Sequence, residues 1–259
     1  MKPETDDLLR LLPPVRRVRG NRLYTADGAR YLDLWLDGGR AILGERERQA
    51  RVQAANAADK GLSRCYPGLY DRRFAKAVLA TWPGFAAIRV FLNDERALAA
   101  LGRLGAKPET PRVLQAPSSS ARFILPRLPC PRPFAPAPVL ARSEADFGSE
   151  RGELVPQLML AAGARALASW AGAEREGYGP GLWARFDKRL SAWFERDGPW
   201  LWARGRPRGA EYERFFRACM AGGALVSPDP DEPSAVPPDF DDGELVKLVR
   251  ALASAARAD

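Results

Sequence analysis

Residues 23–44 read LYTADGARYLDLWLDGGRAILG, and the fold turns on this stretch. At its centre stands Asp27-Gly28, where glycine supplies the positive φ that a tight hairpin turn requires. Leu23 and Tyr24 precede the turn, and Tyr31, Leu32, Leu34 and Trp35 follow it. A β-hairpin is expected, with a glycine-rich exit through Gly38, Gly39 and Gly44. On these residues alone the reading is structural, because Asp-Gly hairpins occur in proteins of every function.

Outward from the hairpin, composition sets the bounds. With 259 residues, 46% of them hydrophobic, the chain can bury a core as one compact unit or two joined lobes. Charged residues make up 28%, and no apolar run reaches the length of a membrane span. The start, MKPETDDLLRLLPP, lacks the basic-then-apolar order of a secretory signal, so a soluble cytoplasmic protein is expected. Cys65, Cys130 and Cys219 are widely spaced without a CxxC, and histidine is absent, which excludes His-based triads and most zinc sites. The net charge of +8 comes from 34 Arg against 6 Lys. These arginines are interspersed with acids and form no continuous basic face, so nucleic acid is not an expected partner.

Along the chain, residues 5–12 read as a short helix capped by Thr5, and Arg16 to Arg22 lead into the hairpin. Helices are expected at Arg46–Lys60 and Leu69–Trp82, a buried strand at Ala87–Leu92 and a helix at Glu95–Leu104. Residues 108–138 are proline-rich and read as an extended surface connection, with short strands at most at Arg112–Leu114 and Phe123–Leu125. Pro126 and Pro129 have PxxP spacing, a weak pattern outweighed by the plain connecting role. Beyond Ser149 the chain turns helical. Pro156 opens one helix through Trp170, and Leu182–Asp197 reads as a second, stopped by Gly198. A strand at Pro199–Ala203, a helix at Glu211–Met220, a strand at Ala224–Ser227 and an acid-capped helix at Asp241–Arg257 complete the pattern.

The order aromatic, Ala26-Asp27-Gly28, Arg30-Tyr31-Leu32-Asp33 and a glycine-containing run to Ile42-Leu43-Gly44 resembles the N-terminal hairpin of class III aminotransferases. These are fold type I enzymes that use pyridoxal phosphate (PLP), and the glutamate-1-semialdehyde aminomutase branch looks nearest. There the segment continues into Gly-His, whereas Gly44 is followed by Glu45. Tyr212–Pro228, YERFFRACMAGGALVSP, and the helix after it resemble the family's C-terminal small domain. The resemblance implies an α/β fold: a reduced mixed sheet with flanking helices, an N-terminal β-hairpin and a C-terminal α+β small domain. It divides the chain at 1–45, 46–148 and 149–259.

In the family, the strand matching Ala87–Leu92 enters a loop Asn-Ser-Gly-Ser/Thr-Glu-Ala whose backbone amides hold the cofactor phosphate. Here the loop reads Asn93-Asp94-Glu95-Arg96-Ala97, two small residues shorter, with Asp94 where a neutral residue is expected. A carboxylate about 4 Å from a phosphate charge costs roughly 4 kcal/mol at an effective dielectric of about 20. Residual anion binding is assigned to Arg72, Arg73 and Arg89, with Asn93 at the former phosphate position. The family is longer, and its large domain carries the Schiff-base lysine. This chain offers Lys2, Lys60, Lys76, Lys107, Lys188 and Lys247, none of them between 107 and 188 where that lysine would fall. The implied protein is a shortened, non-catalytic relative that binds, regulates or dimerises, with itself or with a full-length aminotransferase. It needs no cofactor. The alternative is an active PLP enzyme with a displaced lysine or one completed by a partner chain.

Overall fold

In the computed structural model, which describes residues 3–44 and 48–257, Gly28 adopts φ +87° at the tip of the expected hairpin. The first half of the chain forms α1 (Pro3–Leu9), β1 (Val15–Arg19), β2 (Arg22–Thr25), β3 (Arg30–Asp33), α2 (Arg48–Asp59), α3 (Leu69–Thr81), β4 (Ala87–Phe91), α4 (Asp94–Arg103) and β5 (Phe123–Ile124). The second half forms β6 (Ala137–Ala141), α5 (Gln157–Arg175), α6 (Pro180–Leu190), β7 (Phe194–Asp197), β8 (Trp200–Ala203), α7 (Gly209–Ala221), β9 (Ala224–Leu225), β10 (Ser234–Ala235) and α8 (Asp242–Ala255). The chain separates into two compact units. Met1–Arg46 joins Ala173–Asp259 in a terminal unit, and Glu47–Gly172 forms a middle unit.

In the terminal unit, β1, β2 and β3 run antiparallel, and β3 then pairs in parallel with β9 through Leu32↔Ala224 and Asp33↔Leu225. The two ends of the chain therefore share one mixed sheet. Leu23 and Leu32 point from it into a core with Phe216, Leu225, Leu245 and Leu248. β7, β8 and β10 form a second, antiparallel sheet. Arg22 fixes β2 to the start of α8: its Nε and Nη2 each donate to Glu244 at 2.8 Å, and its Nη1 reaches Asp239 at 3.2 Å. Such a two-pronged pair is held in one geometry, and only 12% and 10% of the two side chains is exposed. α7 and α8 cross closely because Gly222 has no side chain; a Cβ there would come within 2.8 Å of the Leu248 Cα.

In the middle unit, the antiparallel sheet has the order β4-β6-β5 and packs Phe91, Phe123, Val139 and Phe147 against Ala97 and Leu101 of α4. α3 buries Phe74 and Val78, as its spacing predicted. Gly163 of α5 admits the Phe74 ring, since a Cβ would lie 2.8 Å from its Cε2.

Several expectations are corrected. Thr5 lies inside α1 rather than ahead of it. Val15–Arg19 is a strand, although every one of its residues is exposed, because pairing with β2 and not burial defines it. The helix expected from Arg46 is described from Arg48 onward; its first two residues lie outside the described part. The proline-rich connection is not a surface feature: Leu125, Leu128 and Cys130 are buried, and β6 is buried throughout as the central strand. Pro138 is tolerated there because β5 pairs only with Leu140 and Ala141, leaving Pro138 beyond its end. Arg112–Leu114 forms one bridge, Arg112↔Arg127, instead of a strand. The helix expected over Leu182–Asp197 stops at Leu190, and Phe194–Asp197 pairs antiparallel with β8. Gly198, at φ +56°, is the turn of that hairpin rather than a helix stop.

Candidate functional site

The start of α4 is where the sequence placed anion binding. Asn93 is the residue before the helix, and its Oδ1 accepts the Arg96 amide at 2.9 Å. The amide of Leu92, one residue earlier, donates to Glu153 Oε2 at 3.1 Å, and Arg96 Nη1 meets Glu153 Oε1 at 3.0 Å. Asp94 and Glu95 occupy the first turn. Acidic groups at a helix start are favourable because the exposed amides carry partial positive charge. The Glu153 carboxylate thus lies beside the start of α4, between the Leu92 amide and the Arg96 guanidinium.

Gly152 makes the arrangement possible. At φ +75° it lets the chain run against β4, where a Cβ would come within 3.1 Å of the Val90 carbonyl oxygen, and the Glu153 amide donates to that oxygen at 2.8 Å. Glu150, just upstream, takes Arg103 at 2.8 Å, which holds its carboxyl below the usual carboxylate range.

Of the four anion-binding candidates, the structure commits two to internal contacts. The Arg89 guanidinium pairs with Glu144, donates to the carbonyls of Glu150 at 2.8 Å and Ile88 at 3.1 Å, and lies 4.6 Å above the Phe147 ring. It also draws the Glu144 carboxyl below its ordinary value. Asn93 is spent as a cap. Arg72 and Arg73 are exposed on α3, with Arg73 5.6 Å over Tyr70. Among the described residues no hydrogen bond or ion pair joins one of these four to another. Lys60, Lys76, Lys107, Lys188 and Lys247 are all exposed, and Lys2 lies outside the described residues.

A second feature follows the hairpin. Leu36, Asp37, Gly38 and Gly39 have φ of 50°, 52°, 65° and 88°, a complete left-handed turn. For a non-glycine residue that conformation costs roughly 1–2 kcal/mol. Asp33 helps hold it: Oδ1 accepts the Leu36 amide at 2.8 Å. Burial pushes the Asp33 carboxyl up to about 6, against the Leu36 and Trp35 amides and with help from the nearby Asp37 charge. Arg40, at the end of the turn, is only 9% exposed. Sequence reasoning read the glycines but not the strain at Leu36, a residue type that rarely adopts a positive φ, nor that Asp37, a type that enters this region more readily, joins it. Glu153 was also missed, because nothing near it in sequence ties it to Leu92.

Among the described residues no group of three or more acidic or cysteine side chains could hold a metal ion, and no helix is long and apolar enough to cross a membrane.

No family model matches the chain. An uncharacterized protein of Treponema pallidum (strain Nichols) is 30% identical over 138 residues, 49% of this chain and 45% of that protein. An uncharacterized protein of Borreliella burgdorferi is 31% identical over 86 residues, 33% of this chain and 32% of that one. The matches thus span less than half the length of either curated relative. Among solved structures, an omega-transaminase from Sphaerobacter thermophilus superposes with a TM-score of 0.68 at 11% identity, covering 98% of this chain and 96% of that one. An ornithine aminotransferase from Toxoplasma gondii, which carries PLP at partial occupancy in its active site, gives a TM-score of 0.67 at 9% identity over 95% and 92%. The fold is that of the aminotransferases.

Proposed function

We propose that this chain is an aminotransferase-like protein that works without PLP, as a binding or dimerising relative of the enzymes whose fold it shares. The observation that carries the reading is Glu153 on the Leu92 amide, because a cofactor phosphate at the start of α4 would meet a carboxylate already seated there. The described lysines add to it. A Schiff-base amine has to be desolvated to be nucleophilic at neutral pH, and all five stand in solvent. The described residues do not fit PLP at either its phosphate or its aldehyde. Shortening of the large domain and kinship with the glutamate-1-semialdehyde aminomutase branch belong to the same proposal, as do a cytoplasmic location and pairing with a second copy or with a full-length aminotransferase.

The test is reduction with borohydride after incubation with PLP, followed by peptide mapping. The expected result is weak labelling spread over the exposed lysines. Stoichiometric, saturable modification of one lysine would overturn the proposal in favour of an active enzyme with a displaced lysine. The same result obtained only with a full-length aminotransferase present would instead point to completion by a partner.

A further inference from the structure

β1 is the outer strand of the mixed sheet in the terminal unit, and its far edge pairs with no strand among the described residues. The register fixes which of its backbone groups face that edge. Arg19 and Arg22 flank the two-residue turn Gly20-Asn21, so they bond to each other through both N–H and C=O, and the pairing alternates from there. Val18, opposite Leu23, is consequently turned away from β2. The neighbouring pair agrees: the Thr25 amide donates to the Ala29 carbonyl at 3.0 Å, and the same alternation sends the Leu23 amide to Tyr31. Val18 therefore presents both its N–H and its C=O to the open edge, where they can template another strand.

The side chains along this edge are chemically one-sided. β1 reads VRRVR, with three arginines, no acid and every residue exposed. Arg16 and Arg19 have no hydrogen-bond or ion-pair partner among the described residues. Arg17 lies 4.6 Å over the Tyr24 ring, a contact that leaves its charge unneutralised. Val18 stands on the same face as Leu23, yet it is 40% exposed where Leu23 is 6%. Two copies of β1 paired antiparallel about Val18 would set Arg17 against Arg19 twice, and like charges directly opposite are destabilising. The edge thus disfavours its own copy and favours a strand that carries acids.

We infer that β1 is the docking edge for an extended acidic segment of another protein, added antiparallel with an apolar residue opposite Val18 and acids opposite Arg17 and Arg19. Backbone bonding at Val18 supplies the attachment, and the alternation of acid, apolar residue and acid supplies the selectivity. Arg17 and Arg19 lie on one face of the strand and Val18 on the other, which is the spacing such a segment presents. The inference does not depend on the function proposed above, because β1 belongs to the terminal unit and the Glu153 arrangement to the middle one.

The experiment is an ¹⁵N–¹H NMR titration of the full chain with the peptide acetyl-Thr-Thr-Glu-Val-Glu-Thr-Thr-amide. One control peptide has proline in place of the valine, keeping the charge but losing the N–H that would face Val18, and a second has lysines in place of the glutamates. Saturable shifts centred on Val18 are expected, with affinity about 5–10-fold lower for the proline peptide and for the variant Val18→Pro, whose lost N–H is one that β2 does not use. The double variant Arg17→Glu/Arg19→Glu should prefer the lysine peptide by about 10-fold, a reversal that a folding defect cannot produce. Circular dichroism verifies the fold of each variant. Absence of saturable binding, equal affinity for the proline peptide, tighter binding of an oligothymidylate, or self-association of the chain through Val18 would overturn it.

Discussion

At the start of α4, Asn93 accepts the Arg96 amide and Glu153 reaches back across 61 residues to accept the Leu92 amide, whereas the start of α7 has no side-chain cap and lines a cavity. Every helix start exposes amides that need partners. In the middle unit the chain supplies one for the Arg96 amide through Asn93, with the Glu153 carboxylate alongside. In the terminal unit it leaves them to solvent. Superposition over nearly the whole chain shows the fold and not the site, so the groups at each helix start have to be read one by one.

The comparison is sharpened most by a second carboxylate on backbone amides, Asp33. Its folded value of about 6 lies above the ordinary 3.8, so the folded state holds a proton that the unfolded state releases. The stability this contributes is complete below about pH 4 and is lost as pH rises to about 6. Asp33→Asn should remove that loss and exceed the wild type above pH 6 by about 1–3 kcal/mol, measured by urea unfolding at a series of pH values. Glu153→Ala breaks the closed start directly. It strands the half-buried Leu92 amide and returns the exposed Arg96 guanidinium to water, which should lower stability by about 1–2 kcal/mol, while inorganic phosphate should raise the melting temperature of the variant more than that of the wild type. Asn93→Ala removes only the cap and should cost about 1 kcal/mol in the same unfolding assay. The smallest effect comes from the other side. Arg208→Ser provides α7 with the missing cap, worth about 1 kcal/mol, and forfeits an exposed pair with Asp231 worth at most about half of that, for a net gain near 0.5 kcal/mol.

What the sequence disclosed was local. The Asp27-Gly28 turn, the Phe74 and Val78 face of α3, the helix after Asn93 and the acid-opened α8 are each set by residues within a turn or two of one another. The misses have the opposite character. β1 carries no apolar alternation because it is an exposed edge, and β6 was hidden by prolines whose effect depends on where a neighbouring strand ends. Trp193 and Phe194 continue the helical spacing of α6, yet pairing with β8 converts that segment into a strand. The same divide holds at the site. Asn93 caps the Arg96 amide, a local contact three residues away, whereas the presence of Glu153 follows from tertiary approach at Gly152, which no spacing encodes.

The most direct measurement follows the backbone amides of Leu92 and residues 94–96 by ¹⁵N–¹H NMR while PLP and inorganic phosphate are titrated separately into the wild-type chain. If Glu153 closes the start of α4, these amides stay in place throughout both titrations. Saturable shifts centred on Leu92 and the first turn of α4 would contradict the account and return the position to a phosphate.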